Sequence, residues 1–365
     1  MISKAIISGG GTGGHIFPAI AIADEIKRRN PNAEILFVGA DGKMEMEKVP
    51  AAGYEIKGLT IAGFKRKFAL SNFALPFKII GSMIKARKII KNFMPEVVVG
   101  VGGYASGPTL KAATIIGVPS IVQEQNSFPG KTNKILAKSV QKICVAYEGL
   151  ERFFPAEKIV LTGNPTRREM VSIEGKEAEG YAFYDFESTK KTVLIIGGSL
   201  GARTLNDSVV ANLEQLKGSG VQVLWQCGKL YHEKLEAELK EVDLGSIKLV
   251  QFITRMDLAY AIADVVISRA GAISVSELCL VKKPTILVPS PNVAEDHQTK
   301  NAMALVEKDA AIIVKDVEAK EKMIDEVLSL LADITKCETL RTNIAALGKP
   351  KATESIVDEL EKLIN

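Results

Sequence analysis

Histidine is scarce in this chain, and one of its three copies closes a run of glycines. Ala5-Ile6-Ile7-Ser8 leads into Gly9-Gly10-Gly11-Thr12-Gly13-Gly14-His15, with Pro18 and an apolar helical stretch beyond. An imidazole with its ordinary pKa near neutrality can accept a proton at working pH or steady an anion; capping the helix is its purely structural use. Glycine amides at a helix entrance favour phosphate. Gly9, Gly11 and Gly14 also satisfy the dinucleotide spacing GxGxxG, whereas the lysine and hydroxyl of a Walker A loop are replaced by His15 and Ile16. Comparable loops recur at Gly102–Pro108 after Val97-Val98-Val99, at Gly197–Ala202 after Val193–Ile196, and at Ser268–Ala272 after Val265–Ile267. One dinucleotide needs one such loop per nucleotide fold, and here there are several in each half.

Those loops need strands and helices to hold them. Apolar strand-like runs alternate with helical stretches near residues 4–8, 34–38, 97–101, 119–123, 142–146 and 159–161. The alternation falters over 163–190 and restarts near 192–196, 221–226, 247–251, 264–267, 285–288 and 311–314. Such alternation predicts an α/β protein of two tandem doubly wound parallel sheets, Rossmann-like, facing across a cleft. The expected divisions are 1–162, a linker at 163–190, 191–335, and terminal helices at 336–365 packing back on the first domain. A length of 365 residues suits two cores.

Cys144, Cys227, Cys279 and Cys337 lie far apart and read as core thiols of a reducing compartment. The start of the chain leaves no room for a signal peptide, and no apolar run approaches the ~18 residues of a membrane span, so a cytoplasmic protein, soluble or peripheral, is expected. No DxD triplet or ligand-spaced cluster occurs, so neither a metal nor another cofactor is expected. Net charge is only +4, but no acidic residue lies between Glu55 and Glu96. Lys57, Lys65, Arg66, Lys67, Lys78, Lys85, Arg87, Lys88 and Lys91 fall there, interleaved with Phe64, Phe68, Phe73, Phe77, Ile80 and Ile84. Over residues 64–91 this mixture suits an anionic membrane surface. A core-facing helix from about 72 to 92 with a solvated basic face is the plainer alternative; no recognition motif supports nucleic acid.

The loops and several further segments resemble, in order, the motifs of the MurG family of bacterial peptidoglycan glycosyltransferases. They are GGTGGH ending at His15, GGYxSGP at Gly102–Pro108, QEQN at Gln123–Asn126, GNPTR at Gly163–Arg167, GGSLGA at Gly197–Ala202, SRAGAISVSE at Ser268–Glu277 and DHQTKNA at Asp296–Ala302. The resemblance implies a GT-B fold, UDP-N-acetylglucosamine as donor, lipid I (undecaprenyl-pyrophosphoryl-MurNAc-pentapeptide) as acceptor, and lipid II as product of an inverting displacement. The family's third motif often begins with His; here it is Gln123, so no imidazole acts from that position.

The same resemblance implies roles for particular residues. His15 is the catalytic candidate, as base or pyrophosphate ligand. Thr12, Gly13, Gly14, Asn126, Arg167, Ser199, Ile253, Ala272, Ile273, Ser274, Val275, Ser276, Glu277 and Gln298 form the donor set, with Gly103, Tyr104 and Ser106 on the acceptor side. Amides around Gly198 and Gly201 and the Arg167 guanidinium suit a leaving diphosphate. Asn126 and Gln298 suit sugar hydroxyls and the acetamido group. Glu277 suits ribose hydroxyls, but Ser274-x-x-Glu277 also spells a capping box, and Arg269 could face solvent or phosphate. Two other classes remain open: a nicotinamide enzyme using Glu34 for the adenosine ribose, and another sugar-nucleotide enzyme such as a GT-B epimerase.

Overall fold

The computed structural model describes residues 1–61, 75–166 and 172–364. It forms two compact units, Met1–Thr166 with Lys349–Asn365, and Arg167–Gly348. In the first, strands β1 (Lys4–Ser8), β2 (Glu34–Ala40), β3 (Glu55–Leu59), β4 (Val97–Gly100), β5 (Ser120–Glu124), β6 (Lys142–Val145) and β7 (Ile159–Leu161) make a parallel sheet. Its order is β3-β2-β1-β4-β5-β6-β7. Strand β3 escapes the sequence reading because it lies at the sheet edge, where Glu55 and Lys57 alternate with Ile56 and leave no continuous apolar run.

The middle of each inner strand is an apolar run, as in Ala5–Ile7, Ile35–Val38 and Val97–Val99, because both faces are covered. Ala5 and Ile7 pack with the helices Gly13–Arg29 and Ala352–Lys362. Ile6 packs on the opposite face with the helices Leu75–Phe93, Ser106–Ile115 and Lys131–Leu136. The terminal helix is held by Ile356, Val357 and Leu360, and by Arg29, which pairs with Asp358 at 2.7 Å and Glu361 at 2.9 Å. Gly163 makes the approach possible, since a Cβ there would stand 2.5 Å from the Lys349 Cβ.

The second unit contains β8 (Thr192–Ile196), β9 (Gln222–Gln226), β10 (Ile247–Val250), β11 (Val265–Ser268), β12 (Thr285–Leu287) and β13 (Ile312–Ile313). They are ordered β10-β9-β8-β11-β12-β13. Within the stretch expected as a linker, residues 177–184 are a helix integral to this unit. Gly180 lets that helix pack on Met256–Ile262, for a Cβ there would lie 2.9 Å from the Leu258 carbonyl oxygen. Tyr184 donates to the Arg255 carbonyl, and Lys176 pairs with Asp257 at 2.8 Å. The helix Ile334–Ala346 also belongs here, through buried Leu340 and Ile344. Each sheet reverses its winding once, between β1 and β4 and between β8 and β11. In open α/β sheets the carboxyl ends of the strands at such a point are where ligands bind.

Candidate active site

In the first unit the parallel pairing of Ser8 with Gly100 sets the loops after β1 and β4 side by side. Their backbones touch: Gly103 has φ +88°, and a Cβ on it would stand 2.4 Å from the Gly10 carbonyl oxygen. The helix Gly13–Arg29 begins inside the glycine run, with the Thr12 carbonyl accepting from the His15 and Ile16 amides. Thr12 and Gly14 are exposed, and Gly13 and His15 half-buried. His15 donates from Nδ1 to the Gly10 carbonyl at 3.0 Å, with the Thr12 hydroxyl 3.4 Å from the same nitrogen. A carbonyl only accepts, so the neutral ring carries its proton on Nδ1 and its lone pair on Nε2. Gly102 lies close to that ring, where a Cβ would come within 2.9 Å of Nε2.

Glu45, which the sequence reading did not single out, lies buried beneath the loop. Its Oε2 accepts from the Gly11 amide at 2.8 Å and its Oε1 from the Ala40 amide at 3.0 Å. One amide of the glycine run is therefore committed internally. Among the acceptor-side candidates, Tyr104 is half exposed and Gly103 half-buried, whereas Ser106 is fully buried under Gly100. Glu34, the ribose candidate of the dinucleotide reading, starts β2 at the end of the sheet away from the loops and pairs with Lys4 at 3.1 Å. It cannot serve a nucleotide at the glycine run.

The QEQN and GNP segments are joined by a buried amide network. Gln123 donates to Asn164 at 2.9 Å, Asn164 to the Gln125 carbonyl at 3.0 Å, and Gln125 to the Val101 carbonyl at 2.8 Å. Glu124 shapes the loop that carries Asn126. One oxygen accepts from the Asn126 amide, and the other from the Gly130 amide and the Asn133 side chain. A carboxylate closing a fully buried strand, directly after Ile121-Val122-Gln123, was the available signal.

In the second unit the glycine loop is fastened to a different neighbour. Gly201 (φ +92°) and Gly228 (φ +84°) meet backbone to backbone, a Cβ on Gly201 standing 2.1 Å from the Cys227 carbonyl oxygen. Lys229 and Leu230 donate their amides to the Ser199 and Leu200 carbonyls at 3.0 and 3.2 Å. The Gly201 amide closes the turn onto the Gly198 carbonyl at 3.0 Å, so it is not the diphosphate donor expected from sequence. Gly198 and Ser199 are the exposed tip, and the helix Arg203–Ala211 begins beyond it.

The helix Ala272–Val281 starts from Gly271 as N-cap, which makes Ser274 its third residue. The capping-box alternative for Glu277 therefore fails: a box needs the serine before the helix, and this one is inside it. Glu277 is buried and accepts instead from the Tyr260 hydroxyl, whose pKa burial and the Glu277 carboxylate together push well above its ordinary value. Ile273 and Ser274 are half-buried, Ala272 and Val275 are buried, and Ser276 turns its hydroxyl back to the Ala272 carbonyl at 3.0 Å.

The remaining candidates have internal partners too. The buried Ile253 donates its amide to Gln226 Oε1 at 3.0 Å, and Gln298 Oε1 accepts from the Ser290 amide at 2.9 Å. Arg269 faces neither solvent nor an open anion site. It donates to the Val288 carbonyl at 2.9 Å and pairs with Asp316, which accepts in turn from Thr204. Arg167 lies outside the described residues.

Of the basic stretch, residues 62–74 lie outside the described residues, including Phe64, Lys65, Arg66, Lys67, Phe68 and Phe73. The helix Leu75–Phe93 buries Ala86, Ile89 and Ile90. Its other face is not merely a solvated basic one: Ile80 and Ile84 are 56% and 65% exposed beside exposed Lys85, Arg87, Lys88 and Lys91. Among the described residues no helix is long and apolar enough to cross a membrane, and no group of three or more His, Cys, Asp or Glu side chains could hold a metal ion.

Residues 5–145 match the glycosyltransferase family 28 N-terminal domain, and residues 192–356 its C-terminal domain. A protein of Christiangramia forsetii named UDP-N-acetylglucosamine–N-acetylmuramyl-(pentapeptide) pyrophosphoryl-undecaprenol N-acetylglucosamine transferase is 54% identical over 99% of this chain and 98% of its own length. A Bacteroides fragilis protein of the same name is 53% identical over 99% and 95%. The crystal structure of Acinetobacter baumannii MurG superposes with a TM-score of 0.80 at 29% identity, over 98% of this chain and 99% of that one. A Neisseria meningitidis UDP-GlcNAc 2-epimerase shares the fold alone, with a TM-score of 0.69 at 16% identity over 98% and 100%.

Proposed function

The chain belongs to the MurG family of glycosyltransferases, within glycosyltransferase family 28, and we propose that it moves N-acetylglucosamine from UDP-N-acetylglucosamine to the 4-hydroxyl of MurNAc in lipid I, giving lipid II for peptidoglycan. The observation that carries this reading is the 54% identity over essentially the whole length with a relative of that name. The two switch-point glycine loops supply physical support, one in each unit.

In this reading the second unit takes the donor. Ser199 at the loop tip and the first turn of the helix Ala272–Val281 receive the nucleotide, while Glu277 accepts from ribose hydroxyls alongside Tyr260. Ile253 and Gln298 position backbone around the base and sugar, and Arg167 neutralises the leaving UDP. In the first unit Nε2 of His15 takes the proton of the attacking hydroxyl, and Thr12, Gly13, Gly14, Gly103 and Tyr104 line the approach. Attack at the anomeric carbon breaks the bond to the UDP oxygen with inversion, and the electron pair leaves with the diphosphate. The outward face of the helix Leu75–Phe93 docks on the inner leaflet, its isoleucines entering the interface and its lysines meeting anionic headgroups.

Incubation of the full chain with radiolabelled UDP-N-acetylglucosamine and detergent-dispersed lipid I tests this. The expected result is one labelled lipid product with release of one UDP. Absence of labelled lipid from folded protein that still binds UDP would reject the acceptor assignment.

A further inference from the structure

We propose that Glu45 is a positioning residue that acts on His15 through the Gly10–Gly11 peptide group, holding the imidazole in its Nδ1-protonated form; this deepens the assignment of His15 above and rests on it. The Gly11 N–H and the Gly10 C=O belong to one peptide plane, and in a trans peptide they point in opposite directions. Glu45 Oε2 takes that N–H at 2.8 Å, and His15 Nδ1 donates to that C=O at 3.0 Å. Carboxylate, peptide and imidazole are thus one hydrogen-bond chain. Negative charge at one end polarises the carbonyl at the other and strengthens its hold on the Nδ1 proton. The effect is that of a carboxylate on a catalytic histidine, with a peptide group inserted between them.

The site for the carboxylate is built into the backbone. Glu45 is 1% exposed, and its second oxygen is anchored by the Ala40 amide at the end of β2. Two glycines make room for it. A Cβ on Gly10 would fall 2.1 Å from the carboxyl carbon, and one on Gly39 would fall 2.6 Å from Cγ. A buried negative charge under a glycine loop opposes anion binding by that loop, so its placement calls for another role, and orienting the base is one that the contacts provide.

The test reads the ring directly. In ¹⁵N NMR of the full chain, neutral His15 is expected as the Nδ1-protonated tautomer in the wild type. In Glu45→Gln and Glu45→Ala, signal should move toward the Nε2-protonated form. With the tautomer shift, kcat should fall about 10- to 100-fold, as when a partner that orients a functional histidine is lost, while KM for UDP-N-acetylglucosamine stays within about twofold. Gly10→Ala, which displaces the carboxylate while leaving Glu45 in place, should do the same. UDP-induced thermal stabilisation shows that each variant is folded. An Nε2-protonated wild-type ring, or an unchanged tautomer in any folded variant, overturns the proposal. Undiminished transfer by His15→Ala would overturn the catalytic assignment instead, and the ring measurement judges the relay independently of it.

Discussion

The glycine loops after β1 and β8 are written alike, apolar strand into glycine turn into helix, but different partners hold them. The first leans across the switch point onto the loop after β4, with Gly103 against Gly10, and is tied from below by the Glu45 side chain. The second leans the other way, onto the loop after β9, and its ties are backbone to backbone, from Lys229 and Leu230 to Ser199 and Leu200. A buried carboxylate thus joins the backbone in bracing the loop that carries an ionisable group, whereas the hydrogen bonds bracing the loop with the neutral tip run between main-chain groups. A proton-transfer group needs a fixed tautomer, which side-chain chemistry can impose. A diphosphate asks only for a stable curve of donors.

His15→Ala probes the contrast most severely. Transfer should fall by about 100- to 10,000-fold if the ring is the base, with UDP affinity unchanged because the nucleotide is assigned to the other unit. Steady-state kinetics beside UDP calorimetry checks both halves. An equal loss of UDP affinity would erase the division between the loops.

Paired alanine substitutions come next. Gly103→Ala and Gly201→Ala each force a side chain into the left-handed region and into backbone, costing at least about 1–2 kcal/mol of stability. The first should depress kcat by moving Gly10, the carbonyl partner of His15; the second should weaken UDP binding. Gly198→Ala meets nothing within 4 Å and should show the backbone strain alone. Identical kinetic phenotypes for Gly103→Ala and Gly201→Ala would contradict the separate bracing.

Glu277 separates ligand binding from packing within the second unit. Glu277→Ala strands the buried Tyr260 hydroxyl and should cost about 1–3 kcal/mol, while Glu277→Gln keeps an acceptor and most of that stability. Both should lose UDP affinity if the carboxylate holds the ribose. A Glu277→Gln variant with native UDP affinity would reduce the residue to a partner of Tyr260.

The smallest effect serves as a control away from either loop. Lys283 precedes β12, at the opposite end of the sheet from the glycine loop, and burial, then Arg341, pushes its pKa down to about 8. The folded state therefore releases this proton before the unfolded state does, near 10.5, and the contribution of Lys283 to stability rises with pH across that window. Lys283→Met should be more stable than the wild type at pH 7, with the advantage shrinking toward pH 10. Thermal melts at several pH values check the sign, and UDP affinity should not change.

Much of the architecture was legible because buried parallel strands need continuous apolar runs. Val97-Val98-Val99 and Val193–Ile196 announce themselves, while the half-exposed edge strand Glu55–Leu59 does not. The candidate site was legible as motifs, since glycine at a strand-to-helix turn has few other uses. The chemistry of individual donors was less so. Gly201 looked like an amide offered to phosphate and closes its own turn; Arg269 could have faced solvent or phosphate and braces Asp316; Ser274, a helix cap in one of two readings of its spacing to Glu277, lies inside the helix.

Local sequence thus settled what depends on residue type and short spacing: two nucleotide-type folds, their glycine turns, and a histidine at the mouth of one. Tertiary structure settled which loop braces which, and which polar groups are already taken. Glu45 lies 34 residues beyond Gly11 and reaches it only because β1 and β2 pair in parallel. Gln123 meets Asn164 across 41 residues for the same kind of reason. Hydrogen-bond partners are chosen by distance in space, and in a doubly wound sheet each crossover carries the chain a whole helix away before returning it to the neighbouring strand.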